Sequence, residues 1–260
     1  MLRFIINRLL QGLLVLFALY TITFFLAKAM PGEPFTTEKN ISEEAKAYQR
    51  AIYGLDKSLF EQYLRYPINI ITKGSFAVST SKGRPVRDII AQSFPNSLIL
   101  GLSALGIAIC IGVPLGVISA IRKNSWVDWG AMSIAMIGIC VPAFTVGPLL
   151  QIYIASHLPG LKVAGWGSPA DIILPALTLG LTTAAYLARL TRGGMLEILS
   201  QDFIRTAKAK GIPSNKLITK HALRGGLLPA IAFIGPSFAA LISGSFIVET
   251  IFQVPGMGQH

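Results

Sequence analysis

Five long stretches without a charged or histidine side chain limit what this chain can fold into. They are 17 to 33 residues long, and a helix needs about 20 consecutive apolar residues to cross a bilayer. We therefore predict an all-α, polytopic membrane helix bundle. The five predicted spans cover residues 10–28, 96–120, 130–155, 172–190 and 226–248.

The composition supports a membrane protein. Hydrophobic residues make up 52% of the chain and charged residues 13%, about half the charged fraction of a soluble domain. This argues against a soluble enzyme, and the chain is too hydrophobic for a disordered segment. Two cysteines are too few for a disulfide-rich secreted scaffold.

The first apolar stretch has an alternative interpretation as a secretory signal peptide. Arg3 and Arg8 precede it, and Ala27-Lys28-Ala29 fits a cleavage site. The stretch is longer than the apolar part of a typical signal peptide, however, and four further stretches follow. These two features favour a retained transmembrane helix.

The distribution of basic residues predicts the orientation in the membrane. The N-terminal segment, the 122–128 loop and residues 189–224 together hold twelve Lys and Arg residues, whereas the 157–171 loop holds only Lys162. Short basic loops stay in the cytoplasm, so we predict a cytoplasmic N-terminus and, with five spans, an external C-terminus. Residues 189–224 alone contribute +6 of the formal charge of +11.

The chain lacks the groups that would let it energise transport by itself. The five stretches contain no ionisable side chain that could carry protons or ions at membrane depth. The sequence also has no G-x-x-x-x-G-K-[ST] phosphate loop, no metal-ligand spacing and no catalytic constellation. If the chain moves a solute uphill, the energy has to come from another protein.

Within the spans we predict close packing at small residues such as Gly101, and helix kinks at Pro114, Pro142, Pro148, Pro175 and Pro236.

The basic loop 189–224 reads as two helices joined by a turn. Good helix formers run over 195–210, Gly211 stands where a left-handed C-cap would be, and Pro213 follows. Ser214 or Asn215 can cap the second helix. The charges alone are explained by membrane topology or by anionic lipid heads, and a DNA-reading motif is disfavoured so close to a membrane. Membrane topology does not explain the Ala-x3-Gly turn that runs from Ala207 to Gly211.

This turn resembles the cytoplasmic E-A-A-x3-G loop of ABC-importer permeases. Arg205-Thr-Ala207 stands at the E-A-A position and Gly211 at the glycine. The oligopeptide and dipeptide branch shares these replacements, and its motifs match Phe203–Gly211, His221–Leu223 and Leu227–Pro229. Similar matches extend over nearly the whole chain. They include Tyr53–Asp56, Arg189–Gly193 and Gly244–Gly256, and they resemble the first of two paired permeases. Gly74–Ala77 departs from the Gly-Asp-Phe-Gly that is frequent in the family.

The resemblance implies a type I ABC-importer permease for peptides in the bacterial inner membrane. Its expected partners are a second permease, two ATPase subunits, an extracytoplasmic substrate-binding protein and membrane lipid, but no nucleic acid. ATP and Mg²⁺ would bind the ATPase subunits, so this chain would be neither an enzyme nor a cofactor protein. The family has six spans, so we expect a last span to be missing. Alternatives are a nickel or glutathione permease, or a stand-alone channel or secondary carrier.

The resemblance also implies which residues meet the partners. The ATPase-docking coupling helix would use Phe203, Ile204, Arg205, Thr206, Ala207, Lys208 and Gly211. The apolar side chains Phe203, Ile204 and Ala207 would be buried against the ATPase. The surface facing the binding protein would use Glu249, Pro255, Gly256 and Gly258.

Three regions follow along the chain. Residues 1–28 form a transmembrane helix, 29–94 an external helical cap, and 95–260 the permease core with the coupling loop 189–224. In the cap we predict a capping box at Asn40 and Glu43 and a short helix with an apolar face. That face would consist of Leu55, Leu59, Phe60, Tyr63 and Leu64. The cap could pack on the bundle or contact the binding protein.

Overall fold

The computed structural model of this chain describes residues 1–30, 54–76, 78, 79 and 82–260. Within these residues the structure is helical, with one isolated β-bridge between Val78 and Pro85. The capping box predicted at Asn40 and Glu43 lies outside the described residues. The chain divides into two compact units, Met1–Ile89 and Ile90–His260.

The first unit contains α1 (Leu2–Ala29) and α2 (Leu59–Lys73). No residue of α1 is buried, as suits an apolar helix surrounded by lipid. Ser58 and Glu61 form a capping box at the start of α2, which ends at the left-handed Gly74. The two helices meet through aromatic rings, and the Tyr20 hydroxyl donates a hydrogen bond to the Tyr63 carbonyl at 2.5 Å.

The predicted apolar face of α2 is only partly correct. Leu55 lies in the turn before the helix, and Phe60 is 70% exposed. Tyr63 and Tyr66 make the contacts instead, with ring centres 5.1 and 6.2 Å from that of Tyr20. Aromatic rings reach further than leucine side chains, so they determine which side of α2 faces α1.

The second unit is built around α6, a 31-residue helix. Its helices are α3 (Val86–Ile121, which begins in the first unit), α4 (Trp126–Cys140), α5 (Ala143–Ala155), α6 (Pro169–Leu199), α7 (Asp202–Ala209), α8 (Ser214–Gly226), α9 (Leu228–Ile242) and α10 (Phe246–Phe252). α6 contacts α4, α5, α8, α9 and α10. Helix α3 begins ten residues before the predicted span, so Pro95 lies inside it and not at its start.

Three helices of the described residues are long and apolar enough to cross a membrane alone, namely α1, α3 and α6. Two bent pairs raise the number to five: α4 with α5, bent by 104°, and α8 with α9, bent by 49°. Pro142 lies at the first bend as the residue preceding α5, so it separates two helices where we expected a kink. The last predicted span, 226–248, ends earlier than expected, because α9 stops at Ile242 and Gly244 adopts a φ of 90°.

Small residues bring α3 and α6 into backbone contact. A Cβ atom added to Gly112 would lie 2.5 Å from the Ala184 carbonyl oxygen, and one added to Gly116 would lie 2.4 Å from that of Ala188. Both distances are shorter than any van der Waals contact, so the two helices require glycine at these points. Gly101, predicted to be a packing residue, makes a similar approach to the Leu241 backbone at 3.0 Å.

Candidate functional site

The short helix α7 carries most of the residues predicted to bind an ATPase. The predicted helix over 195–210 is in fact two helices, because α6 ends at Leu199 and α7 begins at Asp202. The Ser200 hydroxyl donates a hydrogen bond to the Glu197 carbonyl at 2.7 Å, and serine side chains that bond nearby backbone compete with the helix. The break gives α7 a direction of its own.

The end of α7 is fixed by backbone hydrogen bonds around Gly211. The Gly211 N–H donates to the Lys208 carbonyl at 3.0 Å, and the Ile212 N–H donates to the Ala207 carbonyl at 3.3 Å. This pair of bonds is a Schellman motif, which needs a left-handed residue, and Gly211 has a φ of 75°. The predicted C-cap is therefore confirmed. A Cβ on Gly211 would meet open space, so conformation and not packing requires the glycine.

The apolar residues of α7 do not share one environment. Ile204 and Ala207 are 2% and 8% exposed, whereas Phe203 is 47% exposed. Ile204 and Ala207 pack in a cluster of this chain's own side chains, together with Met195 of α6 and Leu217 of α8. The expectation that all three apolar residues are buried against a partner therefore fails for Ile204 and Ala207, because this chain already covers them.

The outward side of α7 is mixed and mainly basic. Phe203, Thr206 and Lys208 are exposed, and Arg205 pairs with Asp202 at 3.4 Å. Both members of that ion pair are largely exposed, so it contributes at most about 1 kcal/mol and leaves the guanidinium accessible. The surface offered by α7 is one aromatic ring among basic and hydroxyl groups.

Helix α8 returns from α7 to the membrane-crossing helices. The N-cap residue is Pro213, which makes no side-chain cap hydrogen bond, and Ser214 and Asn215 are already the first residues of the helix. Neither Ser214 nor Asn215 therefore caps it as predicted. Its middle part, Leu217–Ala222, is π-helical. Both ends of that part are buried beneath α7. As a result, α7 is attached to α6 and α8 by the same apolar cluster.

A second anchor near this cluster is an ion pair between α4 and α6. The Arg192 guanidinium holds Asp128 through two bonds, Nε to Oδ1 at 2.6 Å and Nη2 to Oδ2 at 2.7 Å. Asp128 is 3% exposed and also accepts hydrogen bonds from the Ser119 hydroxyl and the Asn124 N–H. Sequence reasoning missed this pair. The sequence does contain a signal for an ion pair between helices: the acid Asp128 stands at the start of one span, and Arg192 stands near the end of another.

The residues predicted to face a binding protein surround a buried carboxylate. Glu249 is fully buried and accepts hydrogen bonds from the Ser97 hydroxyl at 2.8 Å and the Gly258 N–H at 2.7 Å. Gly256 is buried as well, and a Cβ there would lie 2.5 Å from the carboxylate. Glu249 and Gly256 are therefore interior residues, which contradicts a surface role. Pro255 is exposed and Gly258 is half-buried, so a role in partner contact stays a prediction for these two.

Comparison with known proteins identifies the family. The family described as "binding-protein-dependent transport system inner membrane component" matches residues 112–260. Its N-terminal counterpart, a membrane component of binding-protein-dependent transport systems, matches residues 1–101. The chain belongs to this family.

Individual relatives cover the whole chain. It is 42% identical to the oligopeptide transport system permease protein OppB of Haemophilus influenzae, over 99% of this chain and 85% of that protein. It is 41% identical to the dipeptide transport system permease protein DppB of Bacillus subtilis, over 100% of this chain and 84% of that protein. The chain is thus a multi-pass permease component of the inner membrane.

A solved structure supports the fold. The inward-facing MetNI methionine ABC transporter has a TM-score of 0.56 and 17% identity, over 67% of this chain and 79% of that one. At this identity the likeness concerns the fold alone. It confirms the predicted all-α permease bundle.

Proposed function

We propose that this permease imports peptides as one of two paired permease subunits of an ATP-binding-cassette importer. The support is the 42% and 41% identity to permeases named for oligopeptide and dipeptide transport. In this proposal two ATPase subunits bind ATP and Mg²⁺ and hydrolyse the nucleotide. An extracytoplasmic binding protein delivers the peptide, and this chain carries out no catalysis of its own.

The observation that carries the coupling role is the way α7 is attached. Ile204 and Ala207 fasten α7 to Met195 of α6 and Leu217 of α8, while Phe203 points away from that cluster with 47% of its surface exposed. A partner that binds the exposed side and then moves would displace α6 and α8 together, and α8 continues into α9. We propose that closure of the ATPase dimer is transmitted along this route.

The same segment supports the proposed orientation in the membrane. Residues 189–224 contain eight basic and two acidic residues, which favours the cytoplasmic side. In this proposal α7 lies on the side of the membrane where the ATPase subunits bind, and the N-terminus is cytoplasmic.

The docking role is tested with Phe203→Ala. Aromatic anchors carry much of the binding energy of an interface, so we expect co-purification of the ATPase subunits to fall roughly tenfold. The control is Phe60→Ala on α2, since Phe60 is also strongly exposed, at 70%, and lies outside the proposed docking surface. Ala207→Glu would be a poor test, because it places a charge in this chain's own core. Equal ATPase recovery from the Phe203 variant and the control would refute docking through α7.

Transport itself distinguishes the remaining functions. In liposomes that contain the assembled complex and the binding protein, uptake of a labelled oligopeptide should require ATP. Uptake of nickel or glutathione in place of peptide would support the alternative permease types. Transport by this chain alone would instead indicate a channel or secondary carrier.

A further inference from the structure

An open cavity of about 770 Å³ lies where α8 bends into α9. It is distinct from the outward side of α7. Its lining residues come from both sides of the bend: Thr219, Lys220, His221, Leu223, Arg224, Leu227 and Ile231.

The lining divides into a basic and an apolar row. Lys220 and Arg224 are four residues apart and exposed, with His221 beside them. Leu223, Leu227 and Ile231 also follow one another at four-residue intervals, and all three line the cavity across the bend. No acidic residue lines the cavity, and none of the ion pairs found in the described residues involves Lys220 or Arg224. The cavity therefore offers two cationic groups next to an apolar strip.

We propose that this cavity binds an anionic phospholipid, with the phosphate between Lys220 and Arg224 and an acyl chain along Leu227 and Ile231. Basic pockets beside membrane helices are known to hold acidic lipid head groups. The apolar row favours a lipid over a soluble anion, because it continues onto α9. Ile231 on that helix is 57% exposed, and α9 belongs to one of the membrane-crossing pairs.

The occupant is tested on the assembled importer in detergent by native mass spectrometry. Phosphatidylglycerol and phosphatidylcholine are titrated separately, and the double variant Lys220→Gln, Arg224→Gln is compared with the unmodified protein. Each basic side chain near a lipid surface strengthens the binding of anionic lipid. We therefore expect the apparent affinity for phosphatidylglycerol to fall at least tenfold in the variant. Phosphatidylcholine should bind weakly to both proteins.

The matched control is Lys210→Gln, Lys216→Gln. It removes the same charge from the same loop, and both lysines lie outside the cavity lining. The control should keep its phosphatidylglycerol affinity within about twofold. A further variant, Lys220→Arg with Arg224→Lys, keeps the charges and should restore binding, which separates loss of the site from loss of folding.

Several outcomes would overturn the proposal. Equal losses of phosphatidylglycerol affinity in the two glutamine double variants would mean that the basic loop attracts the lipid diffusely and not at this cavity. Equal affinity for phosphatidylcholine would remove the role of the phosphate charge. If inorganic phosphate displaced the lipid at similar concentrations, the site would be one for free anions. If the cavity variant kept its lipid but lost its ATPase subunits, the cavity would be a protein contact.

Discussion

Two buried carboxylates in the unit Ile90–His260 have contrasting surroundings. Asp128 is neutralised by the two-bond contact with Arg192. Glu249 is more deeply buried, and in the described part of the chain no ion pair includes it. Its oxygens accept from the Ser97 hydroxyl and from the Gly258 backbone N–H.

The difference shows two ways of holding a permease helix in place. An ion pair between side chains can keep its bonds while the two helices shift slightly, because the arginine stem is long and flexible. The Glu249 arrangement leaves no such freedom, since glycines enclose the carboxylate. A Cβ on Gly244, Gly256 or Gly258 would lie 3.0 Å or less from it. We infer that the Asp128 contact tolerates movement, whereas the Glu249 contact fixes the segment after α10.

The largest expected effect comes from Arg192→Ala. Removing one member of a buried ion pair leaves the other charge uncompensated, which costs about 3–5 kcal/mol. Asp128 keeps its bonds to Ser119 and Asn124, so we expect a loss of about 3 kcal/mol in the free energy of unfolding. Denaturant titration of the purified protein in detergent measures it.

The comparison variant is Asp128→Ala. Because the Arg192 side chain is 26% exposed, water can reach the guanidinium that remains, and the loss should be smaller. Equal losses in the two single variants would contradict the view that burial of Asp128 sets the cost.

The next effect is expected from Gly256→Ala. The added methyl group would lie 2.5 Å from the Glu249 carboxylate, and Glu249 cannot move aside because it is fully buried. Overpacking of this kind costs about 1–3 kcal/mol, and thermal unfolding in detergent would show it. The control is Gly106→Ala in α3, where no atom lies within 4 Å of the added Cβ. An unchanged melting temperature for the Gly256 variant would mean that the segment after α10 can shift.

The same contrast separates what sequence reasoning could predict from what it could not. Charge-free stretches indicate membrane crossings, because the bilayer core excludes unpaired charge whatever the tertiary fold. The left-handed turn at Gly211 was also predictable, because the signals for it are local. Whether an apolar residue is exposed, in contrast, depends on residues far away in the sequence. The spacing of Ile204 and Ala207 indicates an apolar face, but only the positions of Met195 and Leu217 decide that this chain covers it.

The predicted surface role of Glu249 was wrong for a related reason. An acid followed by Pro255, Gly256 and Gly258 looks like an exposed turn in sequence. In the structure the glycines are needed because the backbone approaches a carboxylate that also bonds Ser97, 152 residues earlier. A contact over such a separation leaves no pattern in one sequence.

Two serine variants compare the carboxylates directly, and the smallest effect of all is expected from the one at Ser119. Ser97→Ala removes one of the two hydrogen bonds to the Glu249 carboxylate and also leaves the Met257 N–H without its acceptor, which lies 2.8 Å away. Leaving buried polar groups without partners costs about 1–3 kcal/mol, so we expect a loss of about 2 kcal/mol in the free energy of unfolding. Ser119→Ala removes one bond from Asp128, which keeps both bonds to Arg192, and should cost about 1 kcal/mol or less. Denaturant titration of both variants under identical conditions gives the ranking. If Ser119→Ala proved the more costly, the hydroxyl and not the guanidinium would dominate at Asp128, and the ion pair could not be the tolerant contact inferred here.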